Sequence, residues 1–160
     1  MKAKQFIVLG LALFLPIAIF IFLKTFGRNE FNVPPLFTDS VPPIGRGCGL
    51  EVSAPYRILP GELDLLKITI DSLACVSFMK EGSRDPFARV REEYTREPLQ
   101  FFQLDDNAYR QKKECIFLLT EPFDVALVDS KGRIRGQYNS GEREEVDRLI
   151  TEIAIIFRKY

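Results

Sequence analysis

Histidine and tryptophan are both absent from this chain of 160 residues. Without imidazole, Ser–His and Cys–His catalysis is excluded, as is every metal site built on histidine. Neither charge sign is in excess, because 22 basic and 22 acidic residues give a formal net charge of zero. Such a balance argues against nucleic acid as a partner. We therefore predict no catalytic residues, no metal ligands and no cofactor.

Cysteine is scarce, with single residues at Cys48, Cys75 and Cys115. No C-x-x-C or C-x-x-x-C pair occurs, so the sequence contains no local motif for a dithiol redox centre. Cys75 lies inside an apolar run and Cys115 begins another, which favours buried apolar side chains. Outside the cytoplasm, Cys48 is able to pair with one of them, and Cys115 is the better candidate. A disulfide or redox role for these three residues stays open.

A long apolar run occupies residues 6–23, which contain no charged residue. At about 1.5 Å per residue, a helix of this length spans about 27 Å, close to the thickness of a bilayer core. No small-residue cleavage site follows the run, so we predict an uncleaved transmembrane signal-anchor at residues 1–24. Lys2 and Lys4 favour a cytoplasmic N-terminus. The predicted localisation is the cell membrane, single-pass, with a soluble periplasmic domain outside the cytoplasm.

Proline is concentrated after this run. Six of the ten prolines fall within residues 25–62, including two Pro-Pro pairs. Paired prolines enforce extended backbone and resist helix formation. The sequence therefore predicts a proline-rich spacer at residues 25–62 and a folded domain at residues 63–160.

The predicted domain alternates strand-like and helix-like patterns. Period-two alternation or short apolar runs predict strands, and apolar residues at helical spacing predict helices. The predicted strands cover residues 66–71, 73–79, 99–104, 115–119, 125–129 and 133–138, and the predicted helices cover residues 83–97 and 142–159. Ser130-Lys131-Gly132 predicts a hairpin turn in which Gly132 takes a positive φ. This order indicates an α/β layer, narrowed to a thioredoxin-like arrangement by the closing hairpin and terminal helix.

Two arginines mark a candidate interaction face. Arg133 and Arg135 alternate on one face of the last predicted strand. Guanidinium groups suit an anion or an acidic partner. The alternative is an ordinary solvated strand face.

Residues 125–160 read VALVDSKGRIRGQYNSGEREEVDRLITEIAIIFRKY, and residues 24–37 read KTFGRNEFNVPPLF. These two stretches resemble the end and the start of bacterial Sco/SenC proteins. The resemblance implies a membrane-anchored thioredoxin-like domain linked to copper delivery during cytochrome c oxidase assembly. It covers about a third of the chain.

The chain departs from this family at the copper site. The family carries a C-x-x-x-C motif after the first core strand and a distant histidine, whereas residues 80–86 read KEGSRDP here and histidine is absent. The resemblance therefore implies a Sco/SenC-like protein with a degenerate active site. We predict a non-enzymatic accessory or protein-interaction factor, with an unknown membrane or exported protein as partner, in the setting of respiratory oxidase assembly. The alternative is a thiol redox or copper-binding protein that uses Cys48 with Cys75 or Cys115.

Overall fold

A computed structural model of the chain describes residues 2–26, 32–43, 48–49, 52–79 and 85–158. The side chains at positions 2–9, 11, 23, 26 and 158 lie outside this description. The chain forms two compact units, Met1–Phe31 and Asn32–Tyr160, which are described separately.

The first unit contains helix α1, Lys2–Phe26, with Pro16 inside it. A membrane-spanning helix needs about 20 predominantly apolar residues. Among the residues that the structure describes, no helix is both long enough and apolar enough to cross a membrane. The predicted transmembrane anchor is therefore wrong. The predictions that depended on it are wrong with it: single-pass membrane localisation, a signal-anchor and the membrane as partner.

The second unit is a mixed α/β structure built on one four-stranded sheet. The predicted α/β class is therefore confirmed, whereas the predicted membrane tether is wrong. Its strands are β1 (Leu73–Met79), β2 (Leu99–Asp105), β3 (Val125–Asp129) and β4 (Ile134–Tyr138), in the order β2-β1-β3-β4. β1 runs parallel to β2 and antiparallel to β3, and β3 and β4 form the predicted antiparallel hairpin. Four helices accompany the sheet, namely α2 (Pro60–Leu65), α3 (Ala88–Glu93), α4 (Arg110–Cys115) and α5 (Arg143–Arg158).

The sheet lies between two apolar clusters, and β1 contributes side chains to both. Leu73 and Cys75 belong to the cluster formed with α3 and α5. Val76 and Phe78 belong to the cluster on the opposite face. Six of the seven residues of β1 are buried, which explains why its sequence is continuously apolar instead of alternating.

The described part of the proline-rich segment packs on the second cluster and runs along the edge of β4. Leu36, Phe37 and Tyr56 are partly buried against that cluster, and Ile58 is part of it. The Leu36 amide donates to the Ile134 carbonyl at 2.7 Å, and the Ile58 amide donates to the Gly132 carbonyl at 2.8 Å. The boundary at residue 62 stays a prediction, but residues on both sides of it share one core.

Two predicted strands are wrong. Residues 66–71 follow α2 as a turn, in which Lys67 has φ 56° and the Ile68 amide donates to the Leu63 carbonyl. Residues 115–119 form no strand, and Leu118 has φ 52°. Helix α3 is also shorter than predicted, and the part of that prediction at residues 83–84 lies outside the described residues.

Candidate functional site

The two predicted arginines meet on one carboxylate at the turn of the β3–β4 hairpin. Arg133 contacts Asp129 Oδ2 through Nε at 2.8 Å and through Nη2 at 2.7 Å. Arg135 reaches the same oxygen through Nη1 at 3.3 Å and donates through Nη2 to the Val33 carbonyl at 2.5 Å. Both arginines therefore lie at one place, as part of a cluster around Asp129.

Asp129 holds the hairpin turn together. Its Oδ1 accepts the amides of Lys131 at 3.0 Å and Arg133 at 3.1 Å. Burial by itself raises the pKa of this carboxyl, but the hydrogen bonds from the Arg133 side chain and from these two amides, with the attraction of Arg133, outweigh burial and lower the pKa. Asp129 is therefore a carboxylate at neutral pH.

A cavity of about 310 Å³ opens beside this cluster. Three cationic, two anionic and three apolar side chains line it. The charged ones are Lys131, Arg133, Arg135, Asp71 and Asp129, and the apolar ones are Leu73, Ile156 and Phe157. The cavity thus combines one excess positive charge with an apolar wall, an arrangement suited to binding an anion.

Arg135 is the unusual member of the cluster. Only 5% of its surface is exposed, yet its Nε has no hydrogen-bond partner among the described residues. Its position in the strand was predictable from the sequence. Its contact with Val33 was not, because the two residues are 102 positions apart.

The cysteines separate into a pair and a single thiol. Cys48 and Cys115 form a disulfide with their Cα atoms 5.5 Å apart, the pairing that the sequence favoured. Cys75 is a free cysteine with no exposed surface, and burial strongly raises the pKa of its thiol. No described sulfur is therefore an exposed, ready thiolate.

A second, polar cavity of about 520 Å³ lies where β1 and β2 end. It contains the buried ion pair Lys113–Asp106, with Nζ and Oδ1 2.9 Å apart. The exposed Glu121 is 3.7 Å from the same ammonium. The sequence did not predict this pair, because residues 105–114 are mostly polar and indicate only a loop or a short helix. Within the described residues no group of three metal-binding side chains is present.

The position that carries the copper thiols in the Sco/SenC pattern lies largely outside the described residues, which resume at Asp85. The Asp85 carboxylate accepts the Phe87 amide at 2.9 Å and the Gln103 side-chain amide at 2.8 Å, and it pairs with Arg91. Asp85 therefore anchors the start of α3 to β2.

Comparison with protein-family models gives no match, and neither curated proteins nor solved structures give one. Nothing in these comparisons identifies the Sco/SenC family or supports the thioredoxin-like assignment, and the resemblance stays a prediction.

Proposed function

We propose that this chain is a non-enzymatic interaction protein, similar to Sco/SenC accessory factors but without their copper and thiol chemistry. The state of the three cysteines carries the proposal. Cys48 and Cys115 are cross-linked, and Cys75 is fully buried with a raised pKa. Thiol exchange and copper binding through cysteine both need an accessible thiolate, and the chain has no histidine to bind copper instead.

The alternative, a redox or copper site formed by Cys48 with Cys75 or Cys115, has less support. Cys75 belongs to the apolar cluster under α3 and α5, whereas Ile116, the neighbour of Cys115, belongs to the cluster on the other face of the sheet. This placement disfavours a Cys75–Cys115 pair. Cycling of the Cys48–Cys115 bond is the version of the alternative that an experiment must test.

The test is thiol counting and anaerobic Cu(I) titration of the purified full-length chain. We expect no reactive thiol in the native protein and one after unfolding, because the other two sulfurs form the disulfide. We expect no tight, stoichiometric Cu(I) binding. A Cys75→Ala variant is the matched control, since it should yield no thiol even when unfolded. A native reactive dithiol, or one thiolate-bound Cu(I) per chain, would overturn the proposal.

The process, cytochrome c oxidase assembly, rests on the resemblance alone. A strain that lacks this protein should show reduced oxidase activity, restored by the wild-type chain and equally by the Cys75→Ala variant. Unchanged oxidase activity in the deletion strain would remove the process while leaving the non-enzymatic role intact.

A further inference from the structure

The cluster around Asp129 has an uneven charge balance. Arg133 and Arg135 share this one carboxylate, whose side chain is 10% exposed. The Arg135 side chain is 5% exposed and the Arg133 side chain 27%. A mostly buried cluster thus holds two guanidinium groups for one carboxylate. An uncompensated charge in such surroundings is costly, so the cluster favours a further anion.

The neighbouring charges do not cancel this excess. Lys131 lines the same cavity, is exposed, and has no ion-pair partner among the described residues. Asp71 also lines it, but its carboxylate accepts a hydrogen bond from Gln100 at 3.3 Å and lies within 4 Å of no basic group in the described part of the chain. The cavity as a whole retains one excess positive charge.

Hydrogen-bonding capacity points the same way. Arg135 uses Nη1 to donate to Asp129 and Nη2 to donate to the Val33 carbonyl. Among the residues that the structure describes, its Nε proton has no acceptor. A buried donor without a partner is destabilising, because the group has lost its hydrogen bonds to water. A carboxylate oxygen at the cavity wall, with a small rotation of the guanidinium, would supply the missing acceptor.

The cavity wall defines the rest of the ligand. Leu73 and Ile156 are buried, and Phe157 is partly buried, so an apolar group beside the charge has a dry surface to contact. The two carboxylates in the lining disfavour a dianion such as phosphate, whereas a monoanion matches the single excess charge. We propose that this cavity binds a carboxylate attached to a small apolar group.

Two sources offer that chemistry, the C-terminal residue of a peptide and a free organic acid. This inference rests on the proposed function, because it names the class of ligand that the interaction face of that function would bind. Its test measures binding alone. It therefore succeeds or fails separately from the copper and thiol measurements.

The experiment is an NMR and calorimetric titration of the full-length protein with N-acetyl-leucine, and with N-acetyl-leucinamide as the neutral match. We expect saturable, roughly millimolar binding of the acid, as its size allows, and at least tenfold weaker binding of the amide. The Arg135 Nε–H resonance should shift on binding. 4-Methylpentanoate, which lacks the peptide group, distinguishes the sources: equal binding indicates a free acid, and weaker binding indicates a peptide end.

Variants tie the binding to the cluster. Arg133→Gln should weaken binding of the acid about tenfold while the fold is retained, because the cavity loses one of the two guanidinium charges that favour an anion. Arg89→Gln is the matched control, since it removes one exposed positive charge that contacts Asp147 instead and should leave binding unchanged. Equal affinity for acid and amide, tighter binding of inorganic phosphate, or equal effects of the two substitutions would each overturn the inference.

Discussion

Gly132 allows residues from distant parts of the chain to approach the hairpin turn. It has φ 71°, and a Cβ at this position would collide with the carbonyl oxygen of Ile58. Its own carbonyl accepts the Ile58 amide at 2.8 Å. The positive φ was predictable from Ser130-Lys131-Gly132, because such turns favour glycine. The close approach of Ile58 was not, because it depends on how the preceding segment packs.

Gly132→Ala should lower the free energy of unfolding by about 2–4 kcal/mol, because it combines a strained φ with a backbone collision. Urea unfolding followed by circular dichroism measures the loss. Gly61→Ala is the matched control, since a Cβ there meets nothing within 4 Å and position 61 is helical. The control should be neutral or stabilising by up to about 1 kcal/mol. Equal effects would contradict the structure of the turn.

Asp129 should make the free energy of unfolding depend on pH in the acidic range. Its pKa is lower in the folded chain than the unfolded value of about 3.9, so its stabilising effect is present above that value. The effect is lost as the pH falls through the lower folded pKa. Asp129→Asn should therefore be less stable than the wild type at pH 7, and the difference should shrink as the pH falls below the unfolded pKa and through the lower folded pKa.

The same comparison with Asp71→Asn supplies the control, because Asp71 is exposed and its side chain contacts only Gln100 in the described region. Urea unfolding at several pH values distinguishes the two variants. A wild-type advantage over Asp129→Asn that persists unchanged below pH 3 would contradict the ionised state assigned to this carboxyl.

At the scale of elements, the local sequence pattern correctly predicted the strands and helices that have neighbouring elements to pair with or pack against. β1, β2 and the β3–β4 hairpin form because each finds a partner strand. The equally apolar residues 115–119 form no backbone strand pairing in the described part of the chain. Instead, the Gln137 side chain donates to the carbonyls of Phe117 and Leu118. Apolarity predicted burial there correctly, but pairing depends on the rest of the sheet, which a local window does not contain.

The same distinction explains residues 66–71. Leu66 and Ile68 are buried as the alternation requires, but a turn after α2 buries them. The Ile68 amide donates to the Leu63 carbonyl at 2.9 Å, which takes the place of a strand partner. The alternation with a period of two therefore identified the buried residues correctly but predicted the wrong backbone conformation, a strand instead of a turn.

The disulfide is the covalent link between the proline-rich segment and α4. Cys48 and Cys115 are 67 positions apart in sequence. Removing a cross-link over a loop of this length should lower the free energy of unfolding by about 4 kcal/mol on the chain-entropy model. The variant is Cys48→Ala with Cys115→Ala, measured by urea unfolding. Reduction of the wild-type protein should give a similar loss.

Cys75→Ala serves as the comparison for that experiment, because it changes a buried cysteine without touching the cross-link. Reducing agent should destabilise this variant as much as it destabilises the wild type. If reduction left the stability of both proteins unchanged, the bond would not constrain the fold.

At the scale of the whole unit, the candidate site combines four parts of the chain: the start of β1, the β3–β4 hairpin, the end of α5 and, through the Val33 carbonyl, the segment before residue 62. The alternation of Arg133 and Arg135 pointed to the correct strand. The cavity itself depends on residues distant in sequence, because Leu73, Ile156 and Phe157 line it and the Val33 carbonyl holds Arg135. Sequence reasoning named the charged face but not its apolar wall, because the wall comes from distant positions.

The start of the folded unit is open to a direct test. The proline-rich segment contributes Leu36, Phe37, Tyr56 and Ile58 to the core, and the Tyr56 hydroxyl donates to the Ile116 carbonyl at 2.5 Å. Burying an apolar side chain of this size contributes about 1.5–3 kcal/mol. Leu36, Phe37 and Tyr56 are only partly buried and contribute less than this, but with the buried Ile58 they still supply a sizeable share of the roughly 5–15 kcal/mol that stabilises a typical domain.

A fragment of residues 63–160 should therefore fail to unfold cooperatively, whereas a fragment of residues 32–160 should unfold in a single urea transition with dispersed amide resonances. The longer fragment with Ile58→Asp is the matched control, because it keeps the segment but places a charge in the core. It should lose most of the stability that the segment provides. Full cooperative folding of residues 63–160 would instead show that the core closes without the segment.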